Sequence, residues 1–314
     1  MHSYLLIAPA KINLYLEIIG DRPDGFHELV MIMQSITLAD RLTIEPSDNQ
    51  KINLRTNSSA IPADETNLAY RAAKLMCDSF PEVYANYGGV NIAIEKNIPI
   101  AAGLGGGSAD AAAVLVGINL MWELGLTSPE LHELAAQLGS DIPFCISGGT
   151  AIATGRGEKL DAIKDLDNLW VVLAKYNGLS VSTPWAYQTY RQKYGDTYAR
   201  DRAEIKARRA QVHSSPIVSA IIKGQGAEIG KLMRNDLEKV VLPAHPQIDK
   251  LRAMFAESGV LGTMMSGSGS TVFALCESEA SAISIKDQMR SKISNPELSL
   301  WVTQLFTGGV HLGN

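Results

Sequence analysis

The feature that most constrains this chain is residues 99–125, PIAAGLGGGSADAAAVLVGINLMWELG. Alternating apolar residues in the preceding GVNIAIEKNI predict a half-buried strand, and residues 111–124 predict a long apolar helix. Glycines between a strand and a helix let backbone N–H groups approach a ligand, and the helix N-terminus is electropositive. The stretch therefore predicts a phosphate-binding loop. Ser108 either caps the helix or offers its hydroxyl to a phosphate or to a metal on it.

Two common phosphate motifs do not fit this loop. A P-loop needs a lysine after its glycines, but Ser108 follows Gly107 directly. The dinucleotide pattern G-x-G-x-x-G has Ser108 at its third glycine, and the acidic residue expected further on is Glu123, inside the predicted helix. A glycine-rich turn before a tightly packed helix is the structural alternative, although Gly-x-Gly-Gly-Gly has more glycines than a turn needs.

Bulk composition indicates a globular protein and excludes several classes. A length of 314 residues suggests two domains, and 46% hydrophobic with 19% charged residues is typical of a folded chain with an ample core. A net charge of −5 without a basic block argues against broad nucleic-acid binding. Three well-separated cysteines in apolar surroundings indicate reduced side chains of a cytoplasmic protein. The start lacks a signal-peptide pattern, and no apolar run is long enough to span a membrane.

The first strands carry polar residues on one face. Residues 4–19 have a strand period that places Lys11 and Asn13 on the same side. A lysine on a strand face commonly serves solubility alone. Residues 41–46 and 51–56 predict a strand pair joined through Ser47-Asp48-Asn49.

Three further segments each allow a structural and a functional interpretation. RPDGFH at residues 22–27 predicts a tight turn that presents Phe26 and His27 at a strand edge, where a histidine is commonly structural. In GSDIPF, Asp141 could be the N-cap of a short helix. The small residues 266–270, SGSGS, could form a flexible hairpin turn.

The second half of the chain alternates strands and helices. When the extra helices are set aside, the order is β-α-β-β-α-β, the split ferredoxin-like order. One long helix is expected at 226–240. Residues 188–214 are charged and contain opposite charges at i,i+4 spacing, which predicts a solvent-exposed helical excursion or a mobile lid.

Several motifs together resemble those of the GHMP kinases. The loop P-x-A-A-G-L-G-G-G-S-A-D resembles their phosphate-binding signature, P-A-K-I-N their first motif, and residues 266–270 with their flanks their third motif. The glycine-heavy form of the loop is most similar to the branch that phosphorylates 4-diphosphocytidyl-2-C-methyl-D-erythritol. D-G-F-H resembles the part of that branch that recognises cytosine, and G-S-D-I-P-F resembles the segment that carries its catalytic aspartate. The resemblance covers nearly the whole chain, except the 188–214 segment. It implies an α+β fold with a ribosomal S5 domain 2-like N-terminal domain (1–165), a ferredoxin-like C-terminal domain (166–314) and an active site in the cleft between them.

The resemblance also implies a role for individual residues. Asp141 would be the general base and Lys11 its electrostatic partner. ATP phosphates would be held by the loop residues Pro99, Ile100, Ala101, Ala102, Gly103, Leu104, Gly105, Gly106, Gly107, Ser108 and Ala109. The substrate would contact Asn13, Phe26, His27, Tyr187, Gly267, Ser268 and Gly269, with Tyr187 preferred to Trp185 as a second aromatic residue for the base.

The implied reaction transfers the γ-phosphoryl group of ATP to the 2-hydroxyl of the methylerythritol moiety, with Mg²⁺ on the phosphates and no metal cage built by the protein. Another GHMP kinase, such as homoserine or mevalonate kinase, would keep the loop but lack D-G-F-H. A Rossmann oxidoreductase would need the missing third glycine, and the acidic charge balance argues against an RNA-binding module. The partner implied is a small molecule with a cytidine diphosphate group, and neither nucleic acid nor membrane is expected. The sequence does not determine the oligomeric state.

Overall fold

The computed structural model describes residues 2–47 and 49–313. The first half of the chain alternates long strands with helices that cover them. Its elements are β1 (Tyr4–Asp21), β2 (His27–Ser47), β3 (Ile52–Thr56), α1 (Leu68–Ser79), α2 (Pro81–Tyr87), β4 (Gly89–Glu95), α3 (Gly106–Met121), α4 (Ser128–Leu138), α5 (Ile142–Ser147), β5 (Thr150–Gly155) and β6 (Lys159–Ala162).

The second half is richer in helices. Its elements are β7 (Trp170–Tyr176), α6 (Thr183–Tyr194), α7 (Arg202–His213), α8 (Pro216–Lys223), α9 (Gly226–Leu232), β8 (Arg234–Asn235), α10 (Glu238–Ala244), α11 (Pro246–Ala256), β9 (Gly262–Met265), β10 (Val272–Cys276), α12 (Glu279–Lys292), β11 (Leu298–Phe306) and β12 (His311–Leu312). None of the described helices is long and apolar enough to cross a membrane.

One continuous sheet joins both halves in the order β12-β1-β2-β11-β7-β10-β9. Strand β2 is the branch point, because separate stretches of it pair with β5, β11 and β4. In the second half, the antiparallel order β11-β7-β10-β9 together with α11 and α12 gives the predicted split ferredoxin-like arrangement. The pairing of β11 with both β2 and β7 fixes the two halves side by side.

The core depends on small residues in α3. Most of its residues are buried, and α3 packs against α1, α5 and the sheet. A Cβ atom on Gly117 would lie 2.6 Å from Ile44 Cγ1, so glycine is needed where the helix crosses β2. The predicted helix begins earlier than expected, at Gly106, and its N-cap is Gly105. Ser108 therefore lies within the first turn and does not cap the helix.

The predicted strand pair at 41–46 and 51–56 is wrong. Both strands exist, but β4 lies between them, antiparallel to β2 and parallel to β3. The apolar side chains of β4 are buried whereas β3 is half exposed, so the more apolar strand takes the interior position and β3 the edge. Of the proposed turn residues, Asp48 lies outside the described residues.

The prediction of a single helix at 226–240 is also wrong. Strand β8, which pairs with β1, separates α9 from α10. Asn235 at this break is buried, and its amide donates hydrogen bonds to the carbonyls of Met265 and Gly267, each over 2.8 Å. The extended backbone at Asn235 is therefore held by contacts that are distant in sequence.

Candidate active site

An ion pair joins β1 to the start of α5. Lys11 Nζ lies 3.2 Å from Asp141 Oδ2 and donates a hydrogen bond to Asn13 Oδ1 over 2.9 Å. The Lys11 side chain is 6% exposed. The Asp141 side chain is 29% exposed and lines the larger of two cavities described below. Lys11 and Asn13 thus share one face of β1, and a carboxylate from another element meets them there.

The carboxylate of Asp141 is not used to cap its helix. Asp141 occupies the N-cap position of α5, but its side chain makes no capping hydrogen bond. Only its backbone carbonyl joins the helix, by accepting from the Cys145 N–H over 3.1 Å. The alternative interpretation of Asp141 as a structural cap therefore has no side-chain bond to support it.

The glycine loop is shaped by close approach to its surroundings. Gly103 and Gly105 have φ angles of +74° and +72°, which favour glycine. A Cβ atom would lie 2.1 Å from the Ser266 carbonyl oxygen at Gly103 and 3.1 Å from Lys11 Cγ at Gly105. The Lys11 N–H also donates to the Leu104 carbonyl over 3.0 Å. The N–H groups of the first turn of α3 lack acceptors within the helix, so the loop presents donors suited to an anion.

The loop separates two cavities, a larger one of about 790 Å³ and a smaller one of about 380 Å³. Four loop residues line both cavities: Ala101, Gly103, Gly105 and Ser108. Six face only the smaller cavity: Pro99, Ile100, Ala102, Leu104, Gly106 and Gly107. Ala109 is buried and lines neither. Two ligands, one in each cavity, would meet at the loop beside Asp141.

The second glycine loop, residues 266–270, packs onto the first. Ser266 Oγ donates to the Gly103 carbonyl over 3.0 Å, and the Thr271 N–H donates to the Ala102 carbonyl over 3.3 Å. The larger cavity is lined by the predicted residues Gly267, Ser268 and Gly269. Both loops therefore form one continuous wall.

The turn at residues 22–27, here called the base turn after the role that the motif resemblance implies for it, lines the larger cavity through Gly25, Phe26 and His27. Phe26 is 50% exposed there, with the Arg156 guanidinium 5.2 Å from its ring centre. The His27 ring stacks on Tyr187, with ring centres 5.2 Å apart. Burial lowers the pKa of His27 from its usual value, partly opposed by nearby Asp21, and this direction favours the neutral imidazole. A neutral imidazole offers one donor and one acceptor, as recognition of a base edge requires.

Comparisons with known proteins show which family the chain belongs to. Residues 67–149 match the family model described as GHMP kinases N terminal domain, and residues 217–295 match GHMP kinases C terminal. The 4-diphosphocytidyl-2-C-methyl-D-erythritol kinase of Gloeothece citriformis is 62% identical over 99% of both chains. That of Trichormus variabilis is 57% identical over 100% of both chains. This chain belongs to the 4-diphosphocytidyl-2-C-methyl-D-erythritol kinase family of GHMP kinases.

A solved structure of a 4-(cytidine 5'-diphospho)-2C-methyl-D-erythritol kinase is 33% identical, has a TM-score of 0.73 and covers 97% of this chain and 99% of its own. A homoserine kinase from Cytophaga hutchinsonii, 18% identical with a TM-score of 0.74 over 99% of this chain and 98% of its own, shares the fold alone. The predicted α+β GHMP kinase fold is confirmed. The expectation that the 188–214 segment lies outside the family is wrong, because members match 99–100% of the chain.

The two residues that the sequence offered as a second aromatic residue for the base lie in different places. Tyr187 lines the larger cavity beside the base turn. Trp185 does not line it, is 36% exposed, and meets His245 edge to face with ring centres 5.7 Å apart. Helical spacing explains the difference, because residues two apart point to different sides of α6.

Sequence reasoning missed a buried charge cluster beneath the glycine loop. Lys96 forms ion pairs with Asp40 and, at 2.7 Å, with Asp110, and all three side chains are almost fully buried. Burial raises the pKa of the Asp110 carboxyl, and Lys96 opposes that shift. Asp40 Oδ1 also accepts from the Ile98 N–H over 2.8 Å, which anchors the segment entering the loop. The only available signal in the sequence was Lys96, a charged residue directly after the apolar strand β4.

The described residues contain no group of three or more His, Cys, Asp or Glu side chains that could hold a metal ion. The three cysteines, Cys77, Cys145 and Cys276, are buried and free.

Proposed function

We propose that the protein transfers the γ-phosphoryl group of ATP to the 2-hydroxyl of 4-diphosphocytidyl-2-C-methyl-D-erythritol, giving the 2-phosphate and ADP in non-mevalonate isoprenoid biosynthesis. Identity of 62% to a curated enzyme of that name, over 99% of both chains, supports this reaction. The observation that carries it in the site is the Asp141 carboxylate, free of capping bonds and facing the larger cavity beside Lys11.

Asp141 acts as the general base in this proposal. A tertiary alcohol is a crowded, weak nucleophile, so its proton has to pass to a group within hydrogen-bond reach as the phosphoryl group arrives. Lys11 holds the carboxylate in position and stabilises negative charge that develops on the transferred group. Phosphoryl transfer depends on such positioning and charge stabilisation more than on covalent catalysis.

ATP lies on the side of the smaller cavity, with its phosphates at the first turn of α3. The free N–H groups of that turn and the smaller cavity, which Gly107 lines, fit a phosphate chain. We assign Mg²⁺ to the phosphates. Ser108 lines both cavities, and its hydroxyl is the protein group available to the ion. The ion supplies neutralisation of charge on the transferred group.

The cytidine diphosphate end of the substrate lies at the base turn. Phe26 and Tyr187 offer ring faces for stacking, and His27 offers an edge for hydrogen bonding. Asn13 and residues 267–269 line the space between that end and Asp141. The domain boundary near residue 165 and a cytoplasmic location stay predictions of the sequence pattern.

A coupled assay of ADP release tests the proposal. The cytidylylated substrate is compared with bare methylerythritol, homoserine and mevalonate at equal ATP. We expect turnover of the cytidylylated compound alone. Faster turnover of homoserine or mevalonate would assign the chain to another GHMP activity.

A further inference from the structure

The 188–214 segment packs against the strand that leads into the base turn. It comprises the end of α6, a short 3-10 turn at Gly195–Thr197 and α7. The Ala199 N–H donates to the Ile19 carbonyl over 2.8 Å. Ile205 lies against the backbone at Gly20, where an added Cβ atom would be 3.7 Å from Ile205 Cδ1. The segment therefore lies along β1 within a few residues of the turn.

A buried carboxylate links α7 directly to the base turn. Glu28 follows His27 in β2 and is 4% exposed. Glu28 Oε1 accepts from Arg209 Nε over 2.8 Å, with Nη2 also in contact, and Oε2 accepts from Arg22 Nη1 over 3.2 Å. One buried carboxylate thus joins the first residue of the base turn to the 188–214 segment. Without Arg209, this charge would keep a single partner in a poorly solvated place.

The same segment surrounds the imidazole of His27. Arg191 Nε lies 2.9 Å from Asp21 Oδ2, and Asp21 Oδ1 lies 3.0 Å from His27 Nδ1. Tyr198 meets the His27 ring edge on, with ring centres 6.2 Å apart. The base turn is therefore held by an ion pair at Glu28 and by aromatic and charged contacts at His27, among which Arg191 also lines the larger cavity.

We propose that the 188–214 segment sets substrate specificity by fixing the base turn, and that Arg209 is its main positioning residue. This inference rests on the proposed function, because it assigns the turn to the cytidine end of the substrate. Arg209 does not line the larger cavity, so it acts through Glu28 and Arg22. A shifted turn would misplace Phe26 and His27 while leaving the ATP loop in place.

Arg208 provides a matched control on the same helix. Its guanidinium pairs with Glu204 over 2.7 Å and donates to the Thr197 carbonyl over 3.1 Å, so its polar contacts stay within the segment. Arg208→Met and Arg209→Met make the same chemical change at neighbouring positions. Only the second removes the contact with Glu28, which joins α7 to the base turn through Arg22.

The experiment measures KM for each substrate, and the relative rates with cytidine and uridine diphosphate forms, in both variants. We expect Arg209→Met to raise KM for the cytidylyl substrate at least about tenfold and to reduce discrimination between the bases, because small misplacements are costly. KM for ATP should stay within about twofold, and Arg208→Met should behave like the wild type. Arg209→Lys, which keeps the charge and the fold, should show the same pattern more weakly.

A double variant separates positioning from general stability. Glu28→Gln removes the buried charge, so adding Arg209→Met to it should change KM by less than about twofold. The inference is overturned if Arg209→Met matches Arg208→Met, or if both variants of Arg209 raise the two KM values equally. Failure of the wild type to phosphorylate the cytidylyl substrate would instead refute the proposed function, before any variant is compared.

Discussion

At the scale of single residues, the site depends on a carboxylate that makes no capping hydrogen bond to its own helix. The Asp141 side chain pairs with Lys11 over 3.2 Å, and its helix begins without it. Lys11 in turn packs its aliphatic stem against Gly105, where a Cβ atom would lie 3.1 Å from Lys11 Cγ. A substitution at Asp141 therefore alters the charge of the pair, whereas a substitution at Gly105 alters the packing of the Lys11 stem.

Replacing either member of the ion pair should abolish most of the activity. We expect Asp141→Asn and Lys11→Met each to lower kcat at least about a hundredfold, because one removes the base and the other its electrostatic partner. Methionine keeps the apolar stem, and asparagine is compatible with an N-cap position, so both proteins should fold. Steady-state kinetics and ATP binding by calorimetry check this. Near-normal kcat in Asp141→Asn would show that the carboxylate is only structural.

Aromatic residues of α6 and of the base turn offer a test of the proposed site for the base, with a control residue on the same helix. Tyr187→Ala and Phe26→Ala should each raise KM for the cytidylyl substrate about tenfold, since stacking contributes roughly 1–3 kcal/mol per base. Trp185→Ala is the control, because Trp185 packs on His245 away from the cavity. A larger effect of Trp185→Ala than of Tyr187→Ala on that KM would reverse the assignment.

At the scale of elements, the glycine loop combines two kinds of glycine at the start of α3. A Cβ atom on Gly106 would lie 3.0 Å from Ile98 Cγ2, so this position serves packing. A Cβ atom on Gly107 would meet only Leu68 Cδ1, at 3.6 Å. Substitutions at Gly106 and at Gly107 therefore test the structural and the phosphate-binding interpretations of the loop separately.

Alanine at Gly107 should weaken ATP binding without weakening the fold. Alanine is the better helix former by about 1 kcal/mol, so the thermal transition should be unchanged or higher. The added methyl group crowds the phosphate side of the loop, and KM for ATP should rise about tenfold by the cost of a small misplacement. Gly106→Ala should instead lower the thermal transition. Unchanged KM for ATP in Gly107→Ala would argue against phosphate contact at this turn.

At the scale of the whole molecule, the two halves are joined at the site as well as through the sheet. Asn235 lies beside β1 and binds the carbonyls of Met265 and Gly267, which lead into the second glycine loop. That loop is bound to the first through Ser266 and Gly103. A continuous set of contacts thus connects β1, both loops and the larger cavity.

Removing the Asn235 amide should affect stability and both substrates together. Asn235→Ala leaves two buried carbonyls without donors, which should lower the free energy of unfolding by about 1–3 kcal/mol. Because the loops lie against each other, kcat/KM should fall for ATP and for the cytidylyl substrate alike. Chemical denaturation and kinetics at a temperature where the variant is folded check this. Loss confined to one substrate would show that the two loops act independently.

The sequence alone determined the parts that depend on local pattern. The glycine loop, the alternation of β1 and the order of elements in the second half are local signals, so these features could be predicted. The kinase fold and the roles of the residues around Asp141 came from motif resemblance, and the chemistry of those residues stays a proposal.

Tertiary structure decided everything that depends on partners distant in sequence. The position of β4 between β2 and β3, the break at Asn235 and the cluster of Lys96, Asp40 and Asp110 arise from long-range pairing and burial. The same is true of Glu28, whose partner Arg209 lies 181 residues away along the chain. No local pattern indicates which two charges will share a buried site, because the free energy of that pairing depends on the assembled surroundings.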